Sequence, residues 1–126
     1  MARILLVEPD VVLAKTYCQA LENAGHQTAW ASSAQAALDA ADTQTPDIVV
    51  LELQLTGHSG IEFLYEFRSY SEWQNVPVLV HSLVPLTAFT DTKVLKDELG
   101  VKEYYYKPNT RLVQLLSGVR EYLAVA

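Results

Sequence analysis

The chain has 126 residues, close to the commonest size for one domain, and half of them are hydrophobic, enough for a full core. Its net charge of −6 is uneven: residues 1–85 balance to −7 and residues 86–126 to +1. No apolar run approaches a membrane span, Glu8 interrupts the start too soon for a secretory signal, and no basic stripe suits nucleic acid. The single cysteine, Cys18, cannot close an internal disulfide, which fits a reducing, cytoplasmic setting.

Arg3–Val7 (RILLV) is a continuous apolar run, as in a strand covered on both faces. After Glu8, Pro9 and Asp10, the residues Leu13, Tyr17, Leu21 and Ala24 recur at helical spacing, and Gly25 marks a stop. His26–Ala31 reads as a short strand. Ser32 and Gln35 form a capping box for an Ala-rich helix around Ala34–Ala41. Ile48–Leu53 is a second buried strand, carrying Glu52 near its end. A loop then leads to a helix near Ile61–Tyr70, and Val78–Ser82 is the next strand. A helix is expected from about Asp91 to Leu99, closed by Gly100. A strand lies near Glu103–Tyr106, with Tyr104 and Tyr106 facing one way and Tyr105 the other. The last helix sets Leu112, Leu115, Leu116, Val119 and Leu123 on one face, with Asn109 or Thr110 as its N-cap.

Buried strands alternating with helices imply an α/β domain, a five-stranded parallel sheet with helices on both faces. The expectation is one domain over residues 1–126, with no effector domain. Open sheets of this kind work at the carboxyl ends of their strands. Those ends carry Glu8 and Asp10, then Glu52, Ser82 and Lys107. Acids, a hydroxyl and a lysine on one rim suit phosphoryl transfer to a carboxylate: an acid as nucleophile, acids for a hard cation, a hydroxyl and an ammonium for the phosphoryl oxygens.

Four stretches, taken in order, resemble the receiver domain of bacterial two-component response regulators. They are ILLVEPD (residues 4–10), PDIVVLELQLTGHSG (46–60), VPVLVHS (76–82) and GVKEYYYKP (100–108). The resemblance covers the whole chain and implies a flavodoxin-like (βα)5 fold and a place in phosphorelay signal transduction. It implies that Ser82 is the switch hydroxyl, Tyr104 the switch aromatic and Lys107 the phosphoryl lysine. It also makes Lys107–Pro108 a candidate cis peptide, X-Pro being the one bond type where cis is cheap.

Two departures stand out. Glu52 occupies the place of the phospho-accepting aspartate, and Pro9 that of the second acid, the principal metal ligand. A glutamate reaches roughly 1.5 Å further than an aspartate, and a misplacement of about 1 Å costs on the order of a hundredfold in rate. Glu52 instead pushes one negative charge toward the phosphoryl position, against roughly 1.5–2 on a phosphorylated side chain, and so suits a partial mimic. Its plainer role is a strand-end carboxylate paired with Lys107. Pro9 offers no oxygen to a cation and Asp10 suits the first turn of a helix, so Mg²⁺ is not expected and no cofactor is assigned.

The expectation is a phosphorylation-independent, non-enzymatic interaction module, with a sensor kinase or another signalling protein as partner. A homodimer through the last strand and last helix is a further expectation, since Lys93, Lys96, Asp97, Glu103, Arg111 and Arg120 mix both signs there. Two other readings stay open: a slow Mg²⁺-dependent phosphoacceptor using Glu8, Asp10 and Glu52, and a small-ligand binder. The second lacks the usual glycine-rich phosphate cradles. His58 and His81 have no metal-binding cluster around them, and Cys18 reads as a helix core residue. The segment from Leu83 to Leu99 is longer than receivers commonly carry and contains the apolar LVPL.

Overall fold

The structure, a computed structural model, describes residues 2–125. Five strands, β1 (Arg3–Val7), β2 (Gln27–Ala31), β3 (Ile48–Leu51), β4 (Val78–Ser82) and β5 (Val101–Tyr106), form one parallel sheet ordered β2-β1-β3-β4-β5. Four α-helices cover it: α1 (Val11–Asn23), α2 (Ala34–Thr43), α3 (Gly60–Ser69) and α4 (Leu112–Val125). This is the doubly wound, flavodoxin-like order, with its switch point between β1 and β3.

The sheet accounts for the apolar runs. Leu5, Val7, Val49, Leu51, Val78 and Val80 pack with Phe63, Leu64 and Phe67 on the α2–α3 side. Ile4, Leu6, Ile48, Val50 and Leu79 pack with Leu21, Leu115 and Val119 on the α1–α4 side. Side chains alternate in direction, but both faces are covered, so polarity does not alternate with them. None of these strand residues is more than 1% exposed. Each contributes roughly 1.5–3 kcal/mol by leaving water. Phe67 stacks on Trp73, their ring centres 5.0 Å apart, and extends the α3 side of the core.

Several elements differ from the sequence expectation. Ser33, not Ser32, caps α2: its hydroxyl accepts from the Ala36 N–H at 3.2 Å. Gln35 turns forward to Asp39 at 3.1 Å, because the helix begins one residue later than a Ser32 cap requires. The capping box lies instead at α3, where Ser59 and Glu62 bond each other's backbone. β3 stops at Leu51, and the chain then turns so that the Leu53 carbonyl accepts the Gly60 N–H at 2.9 Å. A Cβ on Gly60 would lie 2.6 Å from the Leu53 Cα, so only glycine lets α3 start this close to the end of β3.

The helix expected over Asp91–Leu99 is only a single π-helical turn, Val94–Glu98, preceded by a 3₁₀ turn at Leu86–Ala88. Of the connection between Leu83 and Leu99, only Leu95 and Leu99 are buried, too little apolar face to hold a longer helix. Residues Lys107–Asn109 form a 3₁₀ turn in which Thr110 N–H donates to the Lys107 carbonyl at 3.2 Å. Pro108 sits inside that turn with a trans bond, not the cis bond expected, since no described peptide is cis. Neither Asn109 nor Thr110 caps α4. The Thr110 hydroxyl is spent on the Tyr106 carbonyl, and Gln114 reaches back to the Arg111 N–H at 2.6 Å. Leu112, at the first turn, is 36% exposed rather than part of the helix's buried face. Among the described residues no helix is long and apolar enough to cross a membrane.

Candidate functional site

Four strand ends, those of β1, β3, β4 and β5, meet at the carboxyl edge of the sheet. β1 leads into Glu8, whose N–H donates to the Ala31 carbonyl at 3.0 Å and whose own carbonyl accepts the Trp30 indole N–H at 2.7 Å. The Glu8 carboxylate accepts the Asp10 N–H on Oε2 at 3.1 Å and the Lys107 ammonium on Oε1 at 2.6 Å. Every polar atom of Glu8 therefore has a partner.

β3 leads into Glu52. Its Oε1 accepts Lys107 Nζ at 2.7 Å and the Leu83 N–H at 3.1 Å. Its Oε2 accepts the Gln54 N–H at 3.0 Å and the Ser82 hydroxyl. Ser82 Oγ in turn accepts the Val84 N–H at 3.0 Å. Lys107 arrives from the end of β5, so one ammonium bridges two carboxylates that are each 2% exposed. Charge-assisted bonds this short are strong, and they offset the cost of taking three charges out of water.

The ionisation states follow. Burial pushes the Glu52 carboxyl up, but the Gln54 N–H, the Lys107 ammonium, the Ser82 hydroxyl and the Leu83 N–H outweigh it and hold the group below its ordinary value. Burial pushes Lys107 down, and the two glutamates more than offset that, leaving its pKa raised. Within the triad Glu52 is thus held as the carboxylate and Lys107 as the ammonium. A cleft of about 380 Å³ opens over it, lined by Glu8, Pro9, Asp10, Glu52, Leu83 and Lys107 among others.

Not every residue singled out in the sequence joins the triad. Asp10 is exposed, and its carboxylate caps α1 by accepting the Leu13 N–H at 3.0 Å. Pro9 precedes that cap. Pro108 lies beyond Lys107, exposed. Tyr104 is half-buried; its hydroxyl donates to the Val84 carbonyl at 2.5 Å and its ring meets Phe89 edge-on at 6.1 Å. Burial and the nearby Glu52 push its phenol up to about 12. His58 pairs with Glu62 at the surface, and His81 is buried edge-on against Tyr17, 5.1 Å between ring centres. Among the described residues no group of three His, Cys, Asp or Glu side chains converges as metal ligands.

Two residues that matter were not singled out in the sequence. Trp30 ties β2 to the Glu8 turn; a tryptophan one residue from the end of a strand beside β1 was the available signal. Arg68, at the end of α3, donates to the carbonyls of Leu99, Gly100, Trp73 and Gln74 at 2.7–3.3 Å. It clips the far end of the Leu83–Leu99 connection, and nothing in local spacing announces that.

Known proteins resemble this chain in sequence and in fold. The KDP operon transcriptional regulatory protein KdpE of Escherichia coli K12 is 32% identical over 108 residues, covering 86% of this chain and 45% of that protein. The DNA-binding response regulator MtrA of Mycolicibacterium paratuberculosis is 37% identical over 108 residues, covering 84% and 44%. The chain thus spans less than half the length of these curated relatives. Among solved structures, the non-phosphorylated HemR receiver domain of Leptospira biflexa superposes with a TM-score of 0.85 at 25% identity, covering 100% of this chain and 97% of that one. A CheY-like response regulator receiver domain protein of Methanospirillum hungatei JF-1 gives 0.87 at 20% identity, covering 99% and 95%. The family described as response regulator receiver domain matches residues 4–117. The chain belongs to the response regulator receiver domain family of two-component signalling.

Proposed function

We propose that this chain is an atypical receiver that signals by protein–protein interaction without an aspartyl phosphorylation cycle, its rim held in one state by a built-in ion triad. The observation that carries the reading is the Lys107 ammonium, 2.6 Å from Glu8 and 2.7 Å from Glu52. Glu52 already holds the lysine, the Ser82 hydroxyl and the Leu83 N–H, the kinds of donor that a phosphoryl group would recruit. Its hold on Ser82 and Leu83 sets the start of the connection to β5, and Tyr104 fastens Val84 just beyond. Glu52 therefore acts as a partial mimic, fixing the segment that a phosphoryl group would otherwise pull.

The residues present do not fit a divalent cation. Mg²⁺ wants near-octahedral oxygen donors. All four carboxylate oxygens of Glu8 and Glu52 already accept hydrogen bonds, Pro9 offers no side-chain oxygen, and Asp10 caps α1. The ammonium of Lys107 supplies the positive charge between the acids. A sensor kinase or another signalling protein is the partner class that the family supports, and no catalytic residue is assigned.

The test is a ¹⁵N–¹H correlation spectrum recorded alone, with Mg²⁺, and again with beryllofluoride. The amides of Glu8, Glu52, Ser82 and Lys107 are expected to stay in place. Their joint movement, together with Tyr104, would overturn the proposal in favour of a slow Mg²⁺-dependent phosphoacceptor.

A further inference from the structure

The connection from Leu83 to Leu99 is held at both ends and bound only to itself between them. Val84 is fixed through its N–H to Ser82 and its carbonyl to Tyr104, and Arg68 holds the Leu99 carbonyl. From Pro85 to Glu98 the hydrogen bonds are internal: Ala88 N–H donates to the Pro85 carbonyl, Phe89 to Leu86, Leu99 to Val94, and Lys93 to the Asp91 carboxylate. Among the described residues none of them reaches another element, so this stretch shifts at little cost in hydrogen bonding. Space lies on both sides of its Val94–Glu98 turn. A hollow of about 250 Å³ on the α3 side is lined by Ile61, Tyr65, Phe89, Val94, Leu95 and Leu99 among others. One of about 230 Å³ on the β5 side is lined by Leu86, Leu95 and Tyr104 among others. Leu95, 3% exposed, borders both. Ile61, Phe89 and Val94 rest against the core yet stay only half-buried, and Tyr65 is 52% exposed.

We infer that this connection is a lid with two positions: open, as in the structure, and closed onto α3, with Phe89 and Val94 seated against Ile61 and Tyr65. Three observations set the direction of closure. The α3-side hollow is walled by apolar side chains that are not fully out of water, so filling it removes apolar surface from solvent. The β5-side hollow carries Lys96, Lys102 and Glu103, whose charges resist burial, whereas Asp91 is the only charged residue lining the other. Phe89 has an aromatic partner in the open position, Tyr104, met edge-on at 6.1 Å, and Tyr65 stands ready to replace it in the closed one. The exchange of one aromatic contact for another keeps the two positions close in free energy, as a switch requires. Closure covers Ile61 and Tyr65, so the lid decides whether that face of α3 is offered to a partner. The inference holds whatever chemistry the rim performs.

The experiment is relaxation-dispersion NMR on the whole chain, labelled at backbone amides and at Ile, Leu and Val methyls. One exchange process on the microsecond-to-millisecond scale is expected, with a common rate at Ile61, Tyr65, Phe89 and Val94 and none in the five strands. The minor-state shift at the Ile61 methyl should be of ring-current size and should shrink in Phe89→Leu. Val94→Leu adds a methylene toward the hollow and should raise the minor, closed population about threefold. Val94→Ala should lower it, with both variants folded by the criterion of unchanged sheet amides. The inference is overturned by an absence of exchange, by exchange in the connection with Ile61 and Tyr65 silent, or by Val94→Leu and Val94→Ala moving the minor population the same way. None of these outcomes bears on the beryllofluoride spectra, so the two proposals fail separately.

Discussion

The two connections that flank the rim are built on opposite principles. Between β3 and α3 the chain is drawn into one short loop closed at its mouth: Glu52 is bound through both oxygens, Leu53 accepts Gly60, and Ser59 and Glu62 close a capping box. Between β4 and β5 it runs over the surface for most of its length and is fastened at its ends. Glu52, Ser82 and Tyr104 hold the start, and Arg68 holds the finish. The difference teaches that order in this molecule is not spread evenly along the rim. One connection supplies a fixed charge, and the other is a strap whose position that charge dictates.

Removing the ammonium breaks the comparison most severely. Lys107→Met leaves two buried carboxylates facing each other without a cation, and a loss of about 3–5 kcal/mol at neutral pH is expected in urea melts. Amide exchange over Leu83–Leu99 should rise as well, because Glu52 no longer holds Leu83. The deficit relative to the parent chain should shrink in acid, since protonated glutamates do not repel.

A second large effect lies beneath the strap's first residue. His81 is 5% exposed, and burial followed by the Lys107 charge lowers its pKa from 6.5 to about 4, against a smaller opposing pull from Glu52. Between those values the unfolded chain binds a proton that the folded chain refuses, so stability falls as pH drops from 6.5 toward 4. The expected loss from this residue is roughly 3 kcal/mol. Glu52, whose pKa is lowered, adds stability that is present above its unfolded value and is lost as pH falls through its folded one. Urea midpoints at pH 7 and pH 4.5, compared with those of His81→Leu, check it: the variant should show a shallower slope.

Smaller effects sharpen the contrast. Gly60→Ala forces a Cβ against the Leu53 backbone and should cost about 1–3 kcal/mol, with the pinned connection disturbed and the strap unchanged. Tyr104→Phe removes one hydrogen bond and should cost about 1 kcal/mol, with exchange rising at Val84 and its neighbours while Leu53–Gly60 stays protected. Equal loosening of both connections in either variant would erase the distinction between them.

The sheet was legible because continuous apolar runs have few uses in a chain of this size. Leu5, Val49 and Val80 could be placed without knowing their partners. Glu8, Glu52, Ser82 and Lys107 were legible as strand-end residues, since the topology sends them to one edge. What stayed hidden was set by contacts distant in sequence or by single-residue choices between near-equals. Ser32 and Ser33 are both good caps, and nothing local distinguishes the second, which is the one the structure uses. The strap's lack of a helix follows from where its few apolar residues point. The Lys107–Pro108 bond and the Trp30 indole depend on neighbours that local pattern does not supply. Arg68 is hidden for the same reason, because its four acceptors are backbone carbonyls and have no identity in the sequence.

Lys107 joins residues 99 and 55 positions away, the ends and the middle of the chain at once. Such a bond cannot close until β1, β3, β4 and β5 have docked, so it belongs to the late events of folding rather than to the nucleus. Its loss should leave the refolding rate nearly unchanged and appear almost wholly as faster unfolding. The triad is then a latch on the finished molecule, one that sets how long the native state persists rather than how quickly it is reached.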